Sequence, residues 1–208
     1  MTGVETIDPA IVEAGKRAAE ASPPLDLKAL VDASAEDIRA AYDASSVYWN
    51  ANPPPLASVV NLALAGPHGE LRVRVYRPRD DGALPGLLYL HGGGFMLGSV
   101  ESHDTLCRLL AKEAEAAVVS VDYRLAPEHR FPVPVEECIF ACDWLAEHGA
   151  EIGVDAARLA VGGDSAGANL ALAVLDRRRE ALRTALLFYG CYGHMPEYGF
   201  EPGSAAAA

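Results

Sequence analysis

Gly163-Asp164-Ser165-Ala166-Gly167 decides how this chain folds. It follows the short apolar run Leu159-Ala160-Val161 and leads into the helix-forming stretch Ala168-Asn169-Leu170. Together these read as strand, tight turn and helix, with a serine at the apex. A serine in such a turn sits in a sparsely populated backbone region, at a cost of about 1–3 kcal/mol. The flanking glycines leave room for strand and helix to approach closely. The geometry exposes the hydroxyl and aims the first helical N–H groups at whatever it attacks, so Ser165 reads as a nucleophile.

Upstream, His91-Gly92-Gly93-Gly94-Phe95 follows the apolar run Leu87-Leu88-Tyr89-Leu90. Three glycines directly after a buried strand are costly in chain entropy. They make sense where backbone must come close to a ligand and present N–H groups. Acyl transfer makes that demand, because its tetrahedral intermediate carries a negative oxygen that one well-placed donor stabilises by about 3 kcal/mol. Read alone, the triplet is as much a plain glycine turn; with the serine turn downstream, it reads as an oxyanion loop. Between the two lies room for two strand–helix units, which opens both loops on the same sheet edge.

Further out, Leu71, Val73 and Val75 alternate with Arg72 and Arg74, as in a half-exposed strand. The runs Leu87–Leu90, Ala117–Val121 and Leu186-Leu187-Phe188 are apolar without alternation. Such strands belong in a sheet covered on both faces and paired mostly in parallel. Helical patterns separate them: Leu106, Leu109 and Leu110; Val135, Cys138, Ile139, Cys142 and Leu145; and Leu170 to Leu175. The alternation predicts a three-layer α/β sheet, with ligands at the carboxyl ends of its strands.

The first fifty residues show no strand pattern. They predict two helices, one capped by Asp8 with Pro9 in its first turn, the other opened by a capping box of Ser34 and Asp37. Tyr48 and Trp49 read as core packing, with the lining of a pocket as the alternative. The domain reading is therefore a helical N-terminal segment over 1–55, a core over 56–202, and a low-complexity tail over 203–208 set aside from fold reasoning.

The net charge of −12 argues against nucleic acid as a partner. The basic cluster Arg177-Arg178-Arg179 runs into Glu180 and reads as a solvated helix face. No apolar run is long enough for a membrane span, and the N-terminus carries no secretion signal. The four cysteines, Cys107, Cys138, Cys142 and Cys191, show no zinc or redox spacing and read as buried reduced thiols of a cytoplasmic protein. Neither a metal nor an organic cofactor is implied. The glycines from Gly162 to Gly167 mimic a P-loop in spacing, but Ala168 and Asn169 stand where Lys and Ser or Thr belong.

Three blocks in order carry a resemblance: His91-Gly92-Gly93-Gly94-Phe95, then Asp122-Tyr123-Arg124-Leu125-Ala126-Pro127-Glu128-His129-Arg130-Phe131-Pro132, then Gly163 to Leu170. The chain resembles the hormone-sensitive-lipase-like α/β-hydrolases, a group of carboxylesterases and lipases, over about residues 40–193. The resemblance implies a three-layer α/β-hydrolase fold with a mostly parallel sheet and a helical N-terminal cap over an acyl pocket. It implies a carboxylic ester hydrolase for small acyl esters, with Ser165 as nucleophile and an oxyanion hole of the Gly93, Gly94 and Ala166 N–H groups. His91 and Gly92 hold the loop in shape. His129 is read with Asp122, Arg124 and Glu128 as a polar brace, and His103 as a surface residue.

In that family the acid and then the histidine follow the serine, on loops after later strands. The fold is thus expected to be incomplete at its C-terminus, with both triad partners outside these residues. The one histidine after Ser165 is His194, a weak substitute base whose supporting shell is not evident. The rival reading is an inactive truncated relative that binds ester-like ligands without turnover. The strand at Leu186-Leu187-Phe188 is then a bare apolar edge, a route to a homo-oligomer.

Overall fold

The structure is a computed structural model that describes residues 9–21 and 33–192. Two helices come first, α1 (Pro9–Ala21) and α2 (Ala35–Ser46). Ser34 caps α2: its Oγ accepts the Asp37 N–H at 3.1 Å and donates to Asp37 Oδ2 at 2.7 Å. That satisfies one of the amides a helix start leaves open. Asp8 lies outside the described residues. No residue of α2 is buried, so an apolar face does not anchor it. Arg39 does: Nε donates to Met96 O at 2.9 Å, Nη2 to Ala126 O at 2.8 Å, and the guanidinium pairs with Glu128 at 2.6 Å.

Six strands follow: β1 (Ser58–Gly66), β2 (Gly69–Arg77), β3 (Leu84–Leu90), β4 (Ala117–Val121), β5 (Val154–Asp164) and β6 (Leu182–Phe188). Their order across the sheet is β1-β2-β4-β3-β5-β6. The β1–β2 and β2–β4 pairings are antiparallel; β3–β4, β3–β5 and β5–β6 are parallel. Helices α3 (Asp104–Ala114), α4 (Val133–His148) and α5 (Ala166–Arg177) make the crossovers. Helix α3 packs on β2 and β4, while α4 and α5 pack on each other and on β5.

Strand β4 is buried along its whole length and β3 nearly so, as continuous apolar runs require. The pleat sends Leu88, Leu90, Val119 and Val121 into one core layer with Leu145, Leu170 and Val174. It sends Leu87, Tyr89 and Val118 into the other, with Cys107 and Ala111 of α3. Nucleophile turn and glycine loop leave adjacent strands at their carboxyl ends.

Four expectations need correction. Strand β1 escaped the sequence reading: Asn61 interrupts its apolar residues, of which Val60, Ala63 and Ala65 are exposed, and its pairing with β2 holds it. On α3 the buried residues are Cys107 and Ala111, whereas Leu106 and Leu109 are exposed. Strand β6 is not covered on both faces: Leu182 is buried, but Leu186 and Phe188 are about two-fifths exposed. Among the described residues it pairs on one side only, with β5. Cys107, Cys138 and Cys142 are free and buried, but Cys191 is exposed.

Candidate active site

Ser165 stands between β5 and α5 with φ 50° and ψ −119°, and it is exposed. Positive φ in a non-glycine residue is strained, and here the surroundings impose it. The Ser165 N–H donates to Phe188 O at 2.9 Å, while its carbonyl accepts the Ala168 and Asn169 N–H groups at 3.1 and 3.3 Å. The chain therefore passes from sheet to helix within one residue. A Cβ on Gly167 would lie 2.0 Å from Leu90 O, and one on Gly163 2.4 Å from the same atom. The last carbonyl of β3 thus fills the space in which any side chain at either position would have to sit.

The glycine loop is bound to this turn through Asp164. Asp164 Oδ1 accepts the Gly92 N–H at 3.0 Å and the Tyr89 hydroxyl at 2.7 Å, and His103 Nε2 lies 3.5 Å away. A Cβ on Gly92 would stand 2.2 Å from Asp164 Oδ2. Beyond it the loop curls tightly, with the Gly93 carbonyl accepting both the Met96 and Leu97 N–H groups. The N–H groups of Gly93, Gly94 and Ala166 have no acceptor among the described residues. Nor does any of those residues hydrogen-bond the Ser165 hydroxyl.

Burial opposes the charge on Asp164, but the donors from His103, Tyr89 and Gly92 outweigh it and hold the carboxyl below its ordinary range. His91 is fully buried and stacks on Tyr123, the ring centroids 4.3 Å apart. Its Nδ1 lies 2.9 Å from Gly92 O, so that nitrogen carries the proton. Burial pushes the imidazole down to about 4, against the pull of the Gly92 carbonyl. His91 is therefore neutral at pH 7. His103 corrects an expectation: it is not on the surface but only 8% exposed, because α3 packs its first turn against the sheet beside Asp164.

The loop after β4 also differs from its sequence reading. Asp122, Arg124 and Glu128 do not pair with one another but reach neighbours elsewhere in the chain, while His129 donates its backbone N–H to Leu125 O. Asp122 pairs with Arg72 at 2.8 Å and Glu128 with Arg39. The Arg124 N–H donates to Glu137 Oε2 at 2.7 Å, and its guanidinium bonds the other oxygen of the same buried carboxylate. The Phe95 carbonyl accepts the Ala126 N–H at 2.9 Å, which ties this loop to the glycine loop. Sequence reasoning missed Arg39, Arg72 and Glu137, since nothing local marks a charge whose partner lies far along the chain.

Two cavities open here. One, of about 450 Å³, lies between α2 and α3 and reaches Asp164 and Tyr189. Trp49 lines it and is 54% exposed, so it is not the core residue expected. The other, of about 360 Å³, is apolar and borders Gly94, with Met96, Phe131, Val135 and Leu170 in its walls. Among the described residues no group of His, Cys, Asp or Glu could hold a metal ion, and no helix is long and apolar enough to cross a membrane.

The sequence pattern of a family described as alpha/beta hydrolase fold matches residues 87–202, more than half of the chain. The chain belongs to the α/β-hydrolase family. It is 47% identical over 129 residues to esterase LipI of Mycobacterium tuberculosis, covering 61% of this chain and 40% of that one. It is 44% identical over 166 residues to an ethyl acetate hydrolase of Pseudomonas putida, covering 77% of this chain and 50% of the relative. A hyperthermophilic esterase from the archaeon Pyrobaculum calidifontis superposes with a TM-score of 0.77 at 40% identity, over 88% of this chain and 59% of that structure. This α/β-hydrolase thus spans about half or less of the length of the curated relatives named here.

Proposed function

We propose that this α/β-hydrolase carries the nucleophile and oxyanion hole of a carboxylic ester hydrolase acting on small acyl esters. One observation carries the reading: an exposed, strained Ser165 on a turn bonded to the glycine loop, with the backbone N–H groups of Gly93, Gly94 and Ala166 bonding nothing among the described residues. Ser165 Oγ attacks the ester carbonyl, and the carbonyl oxygen becomes an oxyanion that these amides receive. Collapse of the intermediate breaks the ester C–O bond, the alcohol leaves with the proton that the Ser165 hydroxyl gave up, and water then hydrolyses the acyl-serine, releasing the acid and restoring a proton to Ser165. His91 and Gly92 hold the loop, His91 through its ring stack and Gly92 through its bond to Asp164. Helices α1 and α2 serve as the cap.

The general base is assigned to none of the described histidines, and His194 lies outside the described residues. The relatives named for ethyl acetate hydrolysis and acetyl ester cleavage support a small acyl group, as do cavities of a few hundred Å³. A cytoplasmic location belongs to the same proposal and is supported by the three buried free thiols.

The test is labelling by a fluorophosphonate probe together with turnover of a short-chain chromogenic ester. The proposal expects both, with Ser165→Ala abolishing the labelling and the turnover above background. Ligand binding with neither labelling nor turnover would establish the inactive binder instead. Labelling unchanged in Ser165→Ala would overturn the assignment of the nucleophile.

A further inference from the structure

The cleft between α2 and α3 has a chemistry the ester reading does not use. Asp164 forms part of its floor, and Tyr42, Trp49, Leu106, Leu109 and Tyr189 form much of its walls. Two of the polar residues around it are already committed. Asn50 Nδ2 donates to Ser46 O and Ser102 O, and Asn50 Oδ1 accepts the Thr105 N–H. The Ser102 hydroxyl is taken up by Ser99 and His103. No Lys or Arg side chain lines the cleft. Tyr89 and Gly92 steady the Asp164 carboxylate as neutral donors, and the ring of His103, which also lines the cleft, lies 3.5 Å from the same oxygen.

An anion entering this cleft meets a carboxylate and neither Lys nor Arg. A neutral alkyl group gains from the walls and nothing from the floor. A cation with an apolar skin gains from both, since the faces of Trp and Tyr rings attract positive charge and a buried carboxylate attracts it more strongly. The net charge of −12 draws such a ligand toward the molecule.

We propose that this cleft binds an ammonium group, the positively charged arm of an amino-alcohol ester. The assignment of that arm to a substrate rests on the ester-hydrolase reading; the binding itself does not. The test is therefore equilibrium binding, without turnover. Isothermal titration calorimetry measures the binding of choline and of choline's neutral carbon isostere, in which a tert-butyl group replaces trimethylammonium. Choline is expected to bind about tenfold tighter than the isostere. Asp164→Asn should bring the two within about twofold. Because Asp164 also holds the glycine loop, that variant can fail to fold. Trp49→Leu then decides, since it keeps apolar area and removes the ring face, and should weaken choline severalfold while sparing the isostere. Equal affinities, absence of binding, or a preference untouched by Trp49→Leu would overturn the proposal. Each of those results leaves labelling of Ser165 unaffected, so the two readings fail separately.

Discussion

Strands β3 and β5 lie side by side inside the sheet, and β6 runs beside β5 at its edge. All three carry apolar runs. The first two bury most of their side chains, whereas β6 leaves Leu186 and Phe188 substantially exposed. Composition thus sets which residues can be buried, while position in the sheet sets which are. The difference also separates assembly from covering. Glycine loop and serine turn are fixed to each other where β3 and its loop meet β5 and the start of α5: Leu90 O against Gly163 and Gly167, and Asp164 against Gly92. From the edge, the turn takes one backbone hydrogen bond, from the Ser165 N–H to Phe188 O.

The most severe way to test the central pair is Gly167→Val. Its Cβ would fall 2.0 Å from Leu90 O, a backbone atom that moves only if β3 and α5 separate. Loss of more than about 4 kcal/mol, or failure to fold, is expected in denaturant titration. A milder matched pair compares the two regions directly. Leu88→Ala in β3 removes a side chain that is 1% exposed and should cost about 3 kcal/mol. Leu186→Ala in β6 removes one that is 38% exposed and should cost below about 1 kcal/mol. Equal costs would mean that β6 is covered in solution, and the contrast would disappear.

A third test concerns the buried ring beneath the glycine loop. His91 titrates near 4 in the folded protein and near 6.5 when unfolded. The unfolded chain therefore takes up this proton first. The contribution of His91 is fully present above about pH 6.5 and is lost as pH falls through about 4, a change of about 3 kcal/mol. His91→Asn keeps an N–H donor for Gly92 O without titrating, so its stability should vary less over that window. Parallel pH profiles for the two proteins would show that the ring is not held neutral in the core.

The central pair was legible in the sequence because its geometry admits so few residue types. Only glycine tolerates Leu90 O at 163 and 167, and β3 and β4 announce their burial by unbroken apolar runs. What was not legible depends on distant partners. Nothing near His103 in sequence reveals that it meets Asp164, and nothing near Arg39 reveals Met96, Ala126 and Glu128. Strand β1 was missed because Asn61 breaks the run that its Val and Leu residues would otherwise form, as its outer position permits. Trp49 looked like core because aromatic residues usually pack there, yet the turn after α2 leaves it on the wall of a cleft.

The smallest expected effect on stability asks the most about the edge. Among the described residues nothing pairs with the outer side of β6, beside Leu186 and Phe188, and an unpaired strand edge is a template for another apolar strand. A lysine at such a position opposes that pairing by charge and hydration while leaving the β5–β6 hydrogen bonds in place. Leu186→Lys should therefore change the unfolding free energy by no more than about 0.5 kcal/mol. Sedimentation should nonetheless separate the two proteins, with the unsubstituted chain associating as concentration rises and the variant remaining a monomer. If both stay monomeric, the exposed side chains of β6 do not drive association, and the edge differs from the interior in burial alone. If both associate, the contact lies elsewhere on the surface. Association suppressed by one charge at residue 186 would locate the contact at the edge, away from the Leu90–Gly167 junction that holds the serine turn.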